Sequence, residues 1–117
     1  MDIETFFTTC LELNGAEETT PFGPDTIVFK VAGKMFALAG LDEEECSVNL
    51  KCDPEYAMQL REEHADQIIP GYHMNKKHWN TIIVDGSVSR KQLEEWIDHS
   101  YELVVNSLPR KLREQFL

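Results

Sequence analysis

Residues 26–41, TIVFKVAGKMFALAGL, decide the fold that this sequence predicts. Thr26 to Val31 is rich in β-branched and aromatic side chains, which is typical of a strand. After Ala32, the pair Gly33-Lys34 favours a compact turn, and Met35 to Leu41 predicts the returning strand. The segment therefore predicts an antiparallel hairpin.

A third strand is predicted directly after this hairpin. Cys46 to Lys51 carries Val48 and Leu50 two residues apart, so both side chains fall on one face of the strand. The intervening loop, Asp42 to Glu45, is too charged to be buried. The three strands most simply form an antiparallel meander.

Helices are predicted before and after these strands along the chain. Asp2 to Leu13 has helical apolar spacing with Asp2 as its N-cap, and Asn14-Gly15 provides a left-handed stop. Asp53-Pro54 begins a second helix that extends to about Ala65. Ser89 and Gln92 form a capping box for a long third helix. Its predicted buried face comprises Leu93, Trp96, Ile97, Tyr101, Val104 and Val105.

The remaining segments complete the predicted order. Trp79 to Val84 predicts a strand that ends in an Asp85-Gly86-Ser87 turn, and a short basic helix restarts after Ser107-Leu108-Pro109. Residues 16–25 are expected to be a polar loop. The order is α-β-β-β-α-β-α with a helical tail. It predicts one α+β domain over residues 1–117, a two-layer sandwich whose mostly antiparallel sheet is covered by helices.

The composition is typical of a soluble globular protein, with 42% hydrophobic and 27% charged residues among 117. No apolar run approaches the roughly 20 residues of a membrane span. The acidic N-terminus lacks signal-peptide character, so we expect a cytosolic location and, by default, a monomer. The three cysteines, Cys10, Cys46 and Cys52, match no common zinc spacing and are expected to be reduced thiols.

The charge distribution is uneven. The net charge is −10, which opposes attraction of the whole surface to nucleic acid or anionic membrane. Residues 71–91 nevertheless hold four basic side chains and one acidic side chain, a net of +3. Residues 1–70 carry −11 and residues 92–117 carry −2, so the rest of the chain totals −13. One basic segment therefore stands out in an acidic protein.

Catalytic and metal-binding patterns are not evident in the sequence. There is no G-x-S-x-G, H-E-x-x-H or glycine-rich phosphate loop, so we predict neither an enzyme nor a cofactor. His73 and His78 lie five residues apart, which suits neither a helical nor a strand metal pair. The acidic residues of the first helix and of the loop at 42–45 favour a solvated face, with a weak cation site as the alternative.

Residues 71–81, GYHMNKKHWNT, are the strongest candidate for a binding surface. Lysines contact phosphates as point charges, asparagine binds phosphate or adenine edges, and tyrosine and tryptophan stack on exposed bases. Structural alternatives remain open for the same residues. Trp79 is favoured as a core residue, Asn75 can cap a turn at Lys76-Lys77-His78, and the lysines can simply protect a strand edge.

Several motifs resemble the MmcQ/YjbR family of small bacterial proteins. The most specific is Pro70 to Trp79, with its lysine–histidine–tryptophan block, and the resemblance covers nearly the whole chain. The other matching stretches are Pro21-Phe22-Gly23, Phe29-Lys30-Val31, Gly33-Lys34-Met35-Phe36-Ala37, Asn49 to Pro54, Ser100-Tyr101 and Leu108-Pro109.

The resemblance implies a CyaY-like fold, similar to frataxin, and a DNA-binding role. Two strand-loop wings, residues 30–36 and 71–81, would grip the duplex. The residues that this role implies are Lys30, Lys34, Lys51, His73, Asn75, Lys76, Lys77 and His78. The expected partner is DNA, bound weakly and with salt dependence. The alternatives are an acidic protein partner or small ligand at the same surface, or frataxin-like cation binding on the acidic first helix.

Overall fold

The computed structural model describes residues 2–41, 46–71 and 74–116. Its helices are α1 (Ile3–Leu11), α2 (Pro54–Glu63), α3 (Arg90–Asn106) and α4 (Arg110–Arg113), followed by a 3-10 turn at Glu114–Phe116. Its strands are β1 (Ala16–Thr19), β2 (Thr26–Val31), β3 (Lys34–Gly40), β4 (Ser47–Lys51), β5 (Ile68–Pro70) and β6 (Trp79–Ile83).

The six strands form one antiparallel sheet in the order β1-β2-β3-β4-β6-β5. Helix α3 lies across β2, β3 and β4, and the main core fills the space between the helices and this face of the sheet. The prediction of a two-layer α+β fold is confirmed. In the described residues, no helix combines the length and apolar character needed to cross a membrane.

The predicted helix starts are confirmed. The Asp2 carboxylate accepts a hydrogen bond from the Thr5 amide at 2.8 Å, and the Asp53 carboxylate accepts from the first-turn amides of α2. The predicted capping box opens α3. Helix α1 ends two residues earlier than predicted, because the Leu13 amide donates to the Cys10 carbonyl and tightens the chain into a turn.

Two strands were missed by the sequence prediction, which was wrong to leave residues 16–19 and 68–70 outside the sheet. Strand β1 pairs with β2, and β5 pairs with β6, so each is an edge strand. Their sequences, AEET and IIP, are short and carry little of the usual strand pattern. Edge strands take their register from their partner, and an edge tolerates Pro70 because its nitrogen has no hydrogen to donate.

The β2–β3 hairpin turns one residue earlier than predicted. Ala32 and Gly33 have φ of 51° and 79°, so they form the turn and Lys34 already belongs to β3. The register then shifts: Phe29 lies opposite Ala37, whereas Lys30 lies opposite Met35. Phe36 is the extra residue of this bulge, and it is fully buried in the main core. The bulge therefore leaves Met35 on the opposite face of the sheet.

Candidate nucleic-acid interface

The topology brings the predicted basic residues to one end of the sheet. Because neighbouring strands are antiparallel, β2 and β4 end where β3 and β6 begin. Four adjacent strands thus meet there, spanning three intervals or about 14 Å. We call this end the basic end, and its described members are Lys30, Lys34, Lys51, Asn75, Lys76, Lys77 and His78. His73 lies outside the described residues, as do Tyr72 and the acidic loop at 42–45.

Two of these lysines lie on the sheet face that carries no helix. Lys30 is opposite Met35 and Lys51 is opposite Trp79 in the strand register. Met35 and Trp79 belong to a small second cluster with Val28 and Leu38 on this face. Lys30 and Lys51 are half-buried, whereas Lys34, at the hairpin turn, is exposed. Half-buried lysines cover apolar surface with their stems and keep the ammonium in water.

The loop before β6 is a tight turn that Asn75 caps. The Asn75 Oδ1 accepts from the Lys77 amide at 2.9 Å, and the Asn75 carbonyl accepts from the His78 amide at 3.2 Å. The capping interpretation of Asn75 is therefore confirmed. Lys76 and Lys77 are exposed on this turn, and Lys76 Nζ lies 3.5 Å from the Gly71 carbonyl oxygen.

Trp79 and His78 connect this turn to the sheet. Trp79 is only 7% exposed, which confirms that it is a packed side chain rather than an open stacking platform. The amide of Gly71 donates to the Trp79 carbonyl at 2.8 Å, and a Cβ on Gly71 would lie 2.7 Å from the Trp79 Cβ. The His78 carbonyl accepts from the Cys52 amide at 2.8 Å. The main chain at Gly71 is therefore in close contact with Trp79, and the main chain at Cys52 is hydrogen-bonded to His78.

Arg61 of α2 holds the turn in place, a role that the sequence analysis missed. Its Nε donates to Asn80 Oδ1 at 2.7 Å, and one terminal nitrogen donates to the Trp79 carbonyl at 3.2 Å and also to the Lys76 carbonyl. The Asn80 amide donates in turn to the Ala57 carbonyl at 3.4 Å. Two features of the sequence could have indicated this role. Arg61 is the one arginine between Lys51 and Lys76, and Asn80 is a polar residue in an apolar strand.

A small cavity of about 10 Å³, enough for about one water molecule, lies behind this end and is lined by residues of β4, β6, α2 and α3. Burial raises the pKa of the Cys52 thiol to about 12, Asp53 adds to the increase, and Arg61 opposes it. The nearby His99 accepts from the Asp53 amide through Nε2 at 3.2 Å. A thiol in this state is a poor nucleophile and metal ligand. The described residues contain no group of three or more His, Cys, Asp or Glu side chains arranged for a metal ion.

Acidic residues border the basic end on one side. Glu17 of β1 lies directly opposite Lys30 of β2, and Glu17 and Glu18 are both exposed. On this side, the positive charge of the basic end therefore stops at Lys30, which lies opposite Glu17 across the strand pair.

Comparison with known proteins identifies the family. The YjbR family model matches residues 11–103, and the chain belongs to this family. It is 39% identical to YbdF of Escherichia coli O157:H7 over 108 residues, which cover 92% of this chain and 88% of YbdF. It is 35% identical to YjbR of Escherichia coli K12 over 114 residues, which cover 97% and 96% of the two chains. Both relatives are described as uncharacterized proteins, so they assign no activity.

Solved structures agree with the fold. The Deinococcus radiodurans protein DR2400, described with the domain DUF419, superimposes with a TM-score of 0.91 at 37% identity. That match covers 97% of this chain and 86% of DR2400. A crystal structure of a Pseudomonas syringae protein matches with a TM-score of 0.76 at 27% identity, covering 88% and 98% of the two chains. The overall fold is thus shared with these solved structures.

Proposed function

We propose that the protein binds double-stranded DNA weakly through the basic end, with its lysines against the phosphate backbone. The convergence of four strand ends and their lysines at one end of the sheet carries this proposal. Lys34, Lys76 and Lys77 are exposed and provide the first contacts, and Lys30 and Lys51 lie beside them on the helix-free face. Lysines position a protein on DNA through phosphates without reading its sequence.

The contacts should be independent of base sequence. Asn75 uses its Oδ1 to cap the turn, so it cannot form the two-bond contact that identifies adenine. Trp79 is packed against the sheet, which removes it as a stacking surface. The exposed lysines remain, and they contact phosphates rather than bases.

The net charge limits the affinity. At about 0.1 M salt, charges more than about 10 Å apart are largely screened, so a local basic surface can act despite a net charge of −10. Three phosphate contacts predict a log–log salt slope of about −3. Binding is therefore expected at low salt and should weaken steeply as the salt concentration rises.

Fluorescence anisotropy with a labelled duplex at about 50 and 200 mM salt tests the proposal. We expect measurable binding at the lower concentration and its loss in the double variant Lys76→Ala/Lys77→Ala. The matched control is Lys91→Ala/Lys111→Ala, which removes two exposed lysines from α3 and α4. No binding at low salt, or equal losses in both double variants, would contradict the proposal. Tighter binding to a polyglutamate peptide than to DNA would instead indicate an acidic protein partner.

A further inference from the structure

A second concave surface lies in the helical layer, outside the basic end. It is a cleft of about 320 Å³ between the second half of α3, Leu13 after α1 and Phe116 of the 3-10 turn. The size falls at the lower end of the range of small-molecule sites. Its lining residues are Leu13, Asp98, Tyr101, Glu102, Val105, Asn106 and Phe116.

The wall opposite α3 is fixed by specific contacts. The Tyr101 hydroxyl donates to the Asn14 carbonyl, and the Asn14 side-chain amide donates to the Gln115 carbonyl at 3.4 Å. The Phe116 ring lies against Gly15, where a Cβ would come within 2.2 Å of the ring. The Phe116 ring can therefore occupy this position in the cleft only because Gly15 has no side chain.

The polar side of the cleft is negative. Asp98 and Glu102 lie one turn apart on α3, and Glu94 lies one turn before Asp98. Like charges at this spacing repel each other. Burial, followed by Glu102 and Glu94, raises the pKa of Asp98 above its ordinary value. Arg90 forms an ion pair with Glu94 at 2.9 Å, but among the described residues neither Asp98 nor Glu102 has such a partner within 4.0 Å.

We propose that this cleft binds a small organic cation, with a protonated amine between Asp98 and Glu102 and an apolar body beside Phe116. Charge complementarity favours the amine because both ionised groups that line the cleft are carboxylates. The aromatic rings of Tyr101 and Phe116 add surface that attracts cations as well as apolar groups. Leu13 and Val105 complete an apolar floor that a hydrated metal ion would not use.

Three matched probes separate charge from shape: phenethylamine, which is protonated at neutral pH, the neutral 2-phenylethanol, and the anionic 3-phenylpropanoate. Titration of the isotope-labelled full chain, followed by amide NMR shifts, should show phenethylammonium binding with a Kd of about 1 mM. The shifted amides should belong to α3 from residue 98 onward and to residues 114–116. The neutral and anionic probes should bind more weakly.

Variants test the assigned residues. Asp98→Asn/Glu102→Gln should weaken phenethylammonium binding about fivefold, the effect of losing a partly exposed ion pair. Glu62→Gln/Glu63→Gln on α2 is the matched control and should leave the Kd unchanged. Phe116→Ala should weaken all three probes. Equal affinity for phenethylammonium and 2-phenylethanol, an unchanged Kd in the carboxylate variant, or shifts outside the cleft would overturn the proposal.

Discussion

The Nε of Arg61 donates a 2.7 Å hydrogen bond to Oδ1 of Asn80, which joins α2 to β6. The same guanidinium contacts the carbonyls of Lys76 and Trp79. One side chain thus satisfies a buried amide and holds the turn that presents Lys76 and Lys77. The position of the exposed lysines consequently depends on a residue that lies on another element of the fold.

Arg61→Ala should destabilise the protein by about 1–3 kcal/mol, because Asn80 Oδ1 would lose its partner in a buried site. Arg61→Lys keeps the charge but cannot reproduce the planar fork, so its loss should be intermediate. Urea unfolding followed by circular dichroism measures both effects. Arg90→Ala, which removes an exposed ion pair, is the control and should change the free energy of unfolding by less than about 0.5 kcal/mol. Equal losses in Arg61→Ala and Arg90→Ala would contradict this role.

Ser100 connects α3 to two strands. Its hydroxyl donates to the Phe36 carbonyl and accepts from the Lys51 amide at 3.0 Å, and the side chain is fully buried. Ser100→Ala should cost about 1–3 kcal/mol because two main-chain groups lose their partner. Ser107→Ala removes an exposed hydroxyl and should stay within about 0.5 kcal/mol in the same unfolding assay. If Ser100→Ala left the free energy of unfolding unchanged, these main-chain groups would have to find other partners.

The three thiols should differ in reactivity. Burial raises the pKa of Cys10 and is the main cause of the increase to about 12 at Cys52, whereas Cys46 is half-buried. Treating the native protein with a chromogenic disulfide at about pH 8 should therefore modify Cys46 first. Cys46→Ala should remove the fast phase and leave two thiols that react only on unfolding. Fast modification of Cys52 in this variant would contradict the burial that the fold assigns to it.

The ionisation of Asp98 should lower the free energy of unfolding as the pH rises. Its native pKa is raised, so the folded chain keeps this proton at pH values where the unfolded chain has released it. Stability is therefore lost from the unfolded pKa upward through the folded pKa, and the full cost is present at neutral pH. Asp98→Asn should stabilise by about 0.3–0.5 kcal/mol near pH 7, discounted for solvent exposure, and by almost nothing near pH 3. An equal gain at both pH values, or an equal gain in the exposed control Glu62→Gln, would argue against this cause.

The elements with strong local signals were predictable from the sequence. The caps at Asp2, Asp53 and Ser89 set the helix starts, and the α3 face from Leu93 to Val105 is buried as predicted. Strands β1 and β5 were not predictable, because their register depends on β2 and β6 rather than on their own side chains. The bulge at Phe36 likewise appears only when β2 and β3 pair, yet it decides which face Met35 occupies.

The candidate site was predictable in composition but not in geometry. The sequence alone identifies Lys76 and Lys77 as positive charges in an acidic chain, and it offers Asn75 as a cap for the turn that they form. Their meeting with Lys34 and Lys51 depends on the strand order, which places β4 beside β6. Arg61 was missed because a contact between α2 and the turn before β6 leaves no periodic pattern in the sequence. Long-range contacts of this kind require the assembled fold.

The location of DNA contact is the most direct test of the central claim that the basic end is the binding surface. Amide NMR spectra of the labelled protein, recorded with increasing amounts of a short duplex at about 50 mM salt, give this location. We expect shifts at Lys30, Lys34 and Lys51 and in the turn from Asn75 to His78, all reversed by raising the salt to about 200 mM. Shifts confined to α3 and α4, or no shifts at low salt, would contradict it.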